Sequence, residues 1–174
     1  QATLKGVELA KKLGIPMIIM EPIKGGSLAK LPYDGIDELF KKARPEASTS
    51  SWALRYVASF DNIKVVLSGM STMAQVEDNL DTFAHFAPLN ETEQRIIEQV
   101  ADALNKRVQN DCTSCRYCMP CPAGVDIPKC FAIWNQYHIY ENTNETKWNW
   151  TQGIEESKKA LHCVQCGKCE QACP

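Results

Sequence analysis

The 174-residue sequence has almost no excess of charge, no long hydrophobic run, and no cysteine before position 112. Its 19 Lys and Arg residues nearly balance its 21 Asp and Glu residues, which argues against nucleic acid or a membrane surface as a partner. The longest apolar stretch, residues 15–23, is interrupted by Pro16, Glu21 and Pro22 and falls short of the roughly 20 residues of a membrane span. No signal-peptide pattern is visible, and we expect a cytoplasmic protein.

The nine cysteines are concentrated in the last third of the chain, and eight of them form two tight runs. A disulfide scaffold would scatter its cysteines, so this segregation indicates a metal module in a reducing compartment. The second run, residues 163–174, matches the ferredoxin pattern C-x2-C-x2-C-x3-C-P at every position. The first run, residues 112–122, is one residue shorter between its third and fourth cysteines.

This spacing predicts two [4Fe–4S] clusters, because three thiolates on one tight loop can reach three irons of a cubane. The fourth cysteine of such a run usually ligates the other cluster. The first predicted ligand set is Cys112, Cys115, Cys118 and Cys173. The second is Cys163, Cys166, Cys169 and Cys121, although the short spacing in the first run leaves the exchange of fourth ligands open.

Zinc is the alternative metal, since two C-x2-C pairs can form an all-thiolate tetrahedral site. Zinc sites rarely set four cysteines three apart and repeat the run, so iron–sulfur clusters are favoured. Cys130 stands outside both runs, within an apolar stretch that predicts a helix over residues 127–140 with Asp126 as its cap. We interpret Cys130 as a small buried hydrophobic residue rather than a ligand.

The first 108 residues alternate between helical and strand patterns. Apolar runs at 17–20 and 63–67 predict strands buried on both faces. Helices are expected before, between and after these strands, in the order helix, strand, helix, strand, helix, helix. Such alternation is typical of parallel βα units.

Two strands cannot form a closed parallel-sheet core, and a full βα barrel takes about 250 residues. We therefore expect an α/β chain that is the C-terminal part of a larger protein. The predicted domains are residues 1–108, a partial barrel, and residues 109–174, the cluster module. Helical patterns between the two cysteine runs favour an α-helical ferredoxin-like arrangement, in which Trp134, Trp148 and Trp150 either cover the clusters or are ordinary aromatic residues.

Four segments resemble the aldo/keto reductase family. Residues 17–29 resemble its seventh strand and following loop, and residues 51–57 resemble the next helix. Residues 65–71 and 75–80 resemble the eighth strand and the helix after it. Together with the cysteine module, the chain resembles the iron–sulfur branch of the family, which carries a ferredoxin-like C-terminal domain.

The resemblance implies the last two βα units of a TIM (β/α)8 barrel that binds a nicotinamide cofactor, NADH or NADPH. By match to the family, Glu21, Pro22 and Ile23 would line the pyrophosphate and nicotinamide side. The adenosine end would be met by Gly69, Met70, Ser71, Gln75, Asp78 and Asn79. Many members carry Lys near the Gly69 position and Arg at the Gln75 position to hold a 2′-phosphate, and both are uncharged here, so the choice of NADH or NADPH stays open.

The family's catalytic residues lie on earlier strands, so no catalytic residue is assigned in this chain. The leading hypothesis is a fragment of an iron–sulfur oxidoreductase with nicotinamide-dependent chemistry and electron transfer through two clusters. Alternatives are an electron-transfer module without reductase activity and a zinc-stabilised interaction domain. Expected partners are a redox protein, and the missing barrel half or a second copy that covers exposed strand edges.

Overall fold

A computed structural model describes residues 3–32 and 35–174. The chain divides into two compact units, residues 1–102 and 103–174. None of the helices in the described parts of the chain combines the length and the apolar character needed to cross a lipid bilayer.

The first unit is a helix-rich α/β structure with two short strands in its described residues. The chain order begins with α1 (Leu4–Lys12), β1 (Met17–Ile19), α2 (Ile36–Ala43) and α3 (Thr49–Ala58). It continues with β2 (Ile63–Val66), α4 (Met73–Ala84) and α5 (Glu91–Asn105). A short 3-10 turn, Lys24–Gly26, follows β1. The predicted order of helices and strands is therefore confirmed, with α2 as an additional short helix.

Side-chain caps define where the longer helices begin. Ser48 accepts a hydrogen bond from the Ser51 N–H at the start of α3. Thr72 and Gln75 form a capping box at the start of α4, where each side chain accepts a hydrogen bond from the free backbone N–H of the other residue. Because these N–H groups have no partner within the helix, the caps fix the first turn of each helix.

The two strands pair in parallel, with Ile18 opposite Val65. Only half of this small sheet is covered: Met17 is half-buried, whereas Ile18 and Val65 are 62% and 42% exposed. The prediction that both strands are buried on both faces is therefore wrong for this chain. The reason is that α3 packs against β2 and no second layer covers the opposite face in the described residues.

The core of the first unit forms around Trp52 on α3. Its side chain is fully buried and stacks on Phe40 of α2, with ring centroids 4.7 Å apart. Ile36 on α2 and Leu54 on α3 are also buried. Truncating a buried aromatic residue of this kind typically costs about 3–5 kcal/mol, so this contact between α2 and α3 is a major support of the helical layer.

A buried ion pair joins α3 to α5. Arg55 donates two hydrogen bonds to the Glu93 carboxylate, at 2.9 and 3.0 Å, and the two residues are only 4% and 6% exposed. Glu93 also accepts from the Asn90 N–H and from Arg44. Burial alone would raise the pKa of the Glu93 carboxyl, but hydrogen bonds from Arg55 and the Asn90 N–H hold this pKa below its ordinary value, with charge from Arg55 and Arg44 adding to the effect.

The second unit is helical in its described residues and contains the two cysteine runs. Its helices are α6 (Ile127–Tyr140), α7 (Thr143–Thr151) and α8 (Lys168–Ala172), with 3-10 turns at Glu156–Lys158 and Ala160–His162. Asp126 caps α6 and Asn142 caps α7, each by accepting a backbone N–H of the first turn. The predicted helix over residues 127–140, with Asp126 as its cap, is confirmed.

We expect Glu93→Gln to destabilise the first unit by about 3 kcal/mol, because it leaves the buried Arg55 without its counter-charge. Urea denaturation measures the free energy of unfolding of each variant. Hydrogen exchange of peptides from α3 and α5 then shows whether the loss of stability lies in these helices. The matched control is Glu91→Gln, which lies on the same helix with a side chain 93% exposed and only a 3.9 Å contact to Arg95. Equal stability of the two variants would contradict a structural role for the buried pair.

Candidate metal centre

The two cysteine runs share one backbone conformation. In the first run, Ser114 and Arg116 have positive φ values of 58° and 67°. In the second run, Gln165 and Gly167 have positive φ values of 54° and 71°. These are the same two positions in each run, the residue before the second cysteine and the residue after it. The two loops are therefore built on one plan despite different intervening residues.

Left-handed residues at alternate positions turn the loop back on itself and expose backbone N–H groups on its concave side. Such concave arrangements of N–H groups are suited to anions and to iron–sulfur clusters. In the second run, the Gln165 N–H already points at the Cys163 Sγ, 3.4 Å away. Hydrogen bonds to cluster sulfurs are one of the factors that set a cluster's reduction potential.

Arg116 adopts a conformation that favours glycine, which occupies the matching place in the second run as Gly167. A left-handed conformation disfavours any residue with a Cβ, by roughly 1–2 kcal/mol. The Arg116 guanidinium lies 3.8 Å from the Asp126 carboxylate at the start of α6. The first loop therefore carries a cationic side chain at the position where the second loop has glycine.

The Cys118 thiol of the first run is half-buried. Burial raises the pKa of the Cys118 thiol, and the charges of Cys112, Cys115 and Cys169 raise it further, against a hydrogen bond from the Cys118 backbone N–H that lowers it. All nine cysteines are free thiols, either half-buried or exposed.

The donor atoms fit an iron–sulfur centre in kind and number. Thiolate sulfur is the ligand of such clusters, and two clusters need eight of them. The two runs supply eight free thiols on two loops of like conformation. Among the described residues, no set of three or more His, Cys, Asp or Glu side chains is already arranged around a common metal position.

Cys130 lies apart from both loops on α6. Its Sγ is 3.8 Å from the Lys158 carbonyl oxygen, and burial raises the pKa of its thiol. A raised pKa disfavours the thiolate form that binds metals. Two of the tryptophans expected near the clusters, Trp134 and Trp148, are 54% and 61% exposed, and Trp150 lies beneath the Lys159 ammonium group.

The two loops of the expected nucleotide site follow the carboxyl ends of neighbouring parallel strands. Glu21, Pro22 and Ile23 come after β1, with Glu21 at a positive φ of 52° and Pro22 buried. Gly69 and Met70 come after β2 and are exposed. Since parallel strands end at the same edge of a sheet, both loops lie at the edge where ligands bind in βα folds.

The polar groups at the start of α4 are engaged with one another. The Gln75 carboxamide oxygen accepts from the N–H groups of Ser71, at 2.7 Å, and Thr72, at 3.2 Å. Asp78 accepts from the Ser48 hydroxyl at 2.7 Å, and Asn79 donates to the Ser68 hydroxyl at 2.9 Å. These bonds give the polar side chains of the loop partners within the chain.

Residues 3–102 match the family model described as the aldo/keto reductase family, and residues 111–174 match the 4Fe-4S dicluster domain. The chain belongs to the aldo/keto reductase family. Membership implies a TIM-barrel origin for the two parallel strands of the first unit, and the second match makes the second unit an iron–sulfur domain. No curated protein and no solved structure matches the chain significantly.

Sequence reasoning missed two features of the centre. One is the pair of left-handed positions in each loop, for which Gly167 was the available signal, because glycine is favoured at positive φ. The other is Asn135 on α6, whose side chain bonds to the segment before Cys112. A polar residue inside an apolar helix gives no sign of its partner when that partner lies 25 residues earlier.

Proposed function

We propose that this chain is part of an oxidoreductase of the aldo/keto reductase family that carries two [4Fe–4S] clusters and uses a nicotinamide cofactor. The observation that carries the proposal is the repetition of one loop conformation in two cysteine runs, in a chain that also contains aldo/keto reductase βα units. Bound clusters would supply single-electron transfer, and a bound nicotinamide would supply hydride transfer.

The proposed arrangement of the second unit is α-helical and ferredoxin-like. Each loop holds one cluster with its first three cysteines, and each fourth cysteine ligates the other cluster. The ferredoxin pattern, in which the fourth cysteine of a run usually ligates the other cluster, supports such an exchange. Cys130 takes no part, because its thiol lies against the Lys158 carbonyl oxygen.

In the proposed nucleotide site, the loop after β1 would face the pyrophosphate and nicotinamide, and the loop after β2 would face the adenosine. The start of α4 would offer N–H groups to a phosphate or a ribose hydroxyl. Gln75 carries no charge to hold a 2′-phosphate, and its oxygen already occupies the N–H groups of Ser71 and Thr72. We therefore expect the site to show little preference for NADPH over NADH.

A second candidate is an electron-transfer module whose first unit binds no nucleotide. It is favoured by the internal hydrogen bonds of Gln75, Asp78 and Asn79, each of which has a partner within the chain. A zinc-stabilised interaction domain is the third candidate, since zinc also binds thiolates. Metal content and nucleotide binding separate the three.

The uncovered face of the two-stranded sheet needs a partner. Ile18 and Met20 are 62% and 73% exposed, and Val65 and Leu67 are 42% and 48% exposed. We propose that further barrel strands or a second copy of the chain cover this face, because exposed apolar strands tend to associate. Sedimentation should show association, reduced by the double change Ile18→Lys and Val65→Lys. A monomer at high concentration would contradict the proposal.

Anaerobically reconstituted protein should contain about eight irons and eight sulfides per chain, the content of two four-iron clusters, with an EPR signal after reduction. Cys115→Ala should lose iron, because it removes a predicted ligand. Cys130→Ala is the matched control, and we expect it to keep the full content. Zinc without sulfide in the unaltered protein would overturn the electron-transfer proposal in favour of the interaction domain.

The nucleotide site is tested by exchanging Gln75 for charged residues. We expect Gln75→Arg to raise affinity for NADPH relative to NADH by roughly tenfold, because a charge-assisted hydrogen bond to the 2′-phosphate contributes about 1.5 kcal/mol. Calorimetric titration with each dinucleotide measures this ratio. Gln75→Glu is the control: its carboxylate keeps the capping box but repels the phosphate. Absence of binding by every variant would favour the electron-transfer module.

A further inference from the structure

The segment that leads into the first cysteine run is bound along one face of α6. Arg107 donates to the His138 carbonyl oxygen at 2.8 Å and also bonds to Glu141. One turn earlier on the same helix face, Asn135 bonds to residues 109 and 110. Positions 135, 138 and 141 are spaced by three residues, so they form one row along the helix. The segment therefore runs antiparallel to the last two turns of α6.

Asn135 uses its whole carboxamide in this contact. Its oxygen accepts from the backbone N–H groups of Gln109, at 3.2 Å, and Asn110, at 3.0 Å. Its Nδ2 donates to the Asn110 carbonyl oxygen at 2.6 Å. The side chain thus fixes both ends of the Asn110 backbone, which constrains the direction in which the chain continues.

Asn110 passes this constraint to the first ligand of the run. Its side-chain oxygen accepts from the Cys112 N–H at 3.0 Å, which forms an Asx turn two residues long. The position of the Cys112 backbone therefore depends on Asn110, and that of Asn110 depends on Asn135. A chain of hydrogen bonds connects a half-buried helix residue to a cluster ligand.

The second run begins in a different way. Backbone hydrogen bonds between near neighbours hold the residues just before it: the His162 N–H donates to the Lys159 carbonyl oxygen at 3.1 Å, and the Cys163 N–H donates to the Ala160 carbonyl oxygen at 3.0 Å. The 3-10 turns before Cys163 meet the start of α6, where the Lys158 carbonyl oxygen accepts from the Asp126 N–H. A change at Asn135 should consequently affect the loop of Cys112 and leave the loop of Cys163 in place.

We propose that Asn135 is the positioning residue of the Cys112 cluster, holding the first ligand of that run through Asn110. The inference rests on the proposed function, because it requires clusters in both loops. Partners outside the ligand set that orient metal ligands commonly change affinity for the metal when they are removed. One of the two clusters thus depends on the Asn135 carboxamide for the position of its first ligand, Cys112.

The test compares Asn135→Ala, Asn135→Asp and a control in the whole chain. Asn135→Ala removes all three bonds, and we expect iron to fall from about eight to about four atoms per chain, the content of one cluster. Asn135→Asp keeps the two accepted bonds and should retain more iron than the alanine variant. The control is Asn149→Ala: Asn149 is half-buried and donates to the side-chain oxygen of Gln136 on α6, the residue next to Asn135. It should keep both clusters.

EPR spectra identify which cluster is lost. The signal that remains in Asn135→Ala should match that of Cys112→Ala and differ from that of Cys163→Ala. Full iron content with an unaltered spectrum would overturn the proposal. So would equal loss of both signals, or the same loss in Asn149→Ala, because either would indicate general weakening of the unit.

Two further readings keep the test decisive. If circular dichroism shows that Asn135→Ala has lost helix, the Asn135→Asp variant is used instead. A change confined to the EPR signal of the Cys112 cluster supports the proposal. An unchanged signal, or an equal change in the signals of both clusters, overturns it. If the unaltered protein forms no clusters, the proposed function itself fails. That result is seen before any variant is made and is therefore distinct from a failure at Asn135.

Discussion

The rest of the second unit depends on one backbone constraint: closely spaced cysteines can reach a common centre only where the chain between them turns back. In both runs this turn uses left-handed residues at the same two positions. Glycine meets the requirement at low cost, and Gly167 does so in the second run. In the first run Arg116 adopts the same conformation, and its contact with Asp126 ties the loop to the start of α6.

Helix α6 is the common support of the cysteine module. Near its start, Asp126 contacts Arg116, its N–H donates to the Lys158 carbonyl oxygen, and Cys130 lies against the same oxygen. Near its end, Asn135 holds the segment before Cys112. Two polar residues of this predominantly apolar helix and its cap, Asp126 and Asn135, thus lie where segments next to the two cysteine loops are held. Pro128 and Ile133 are buried and keep the helix in place.

The first unit matches the aldo/keto reductase family, whereas the second unit is an iron–sulfur domain. The two parallel strands of the first unit end in loops at the same edge of the sheet, and the helices behind them are held by the Trp52 core and by the buried Arg55–Glu93 pair. A nicotinamide exchanges electrons in pairs, whereas an iron–sulfur cluster exchanges them singly. Under the proposed function, a redox partner would therefore exchange electrons between the two kinds of carrier.

Local patterns in the sequence determined where several helices begin and which cysteines form the two runs. The capping pairs Thr72–Gln75 and Asn90–Glu93 depend on neighbours along the chain, as does the ferredoxin spacing of the cysteines, so they could be recognised without coordinates. Only the tertiary structure decided that Ile18 and Val65 are exposed, because burial depends on which layers are present. It likewise decided that Asn135 holds Asn110, since hydrogen bonds between distant segments have no fixed spacing that a sequence could display.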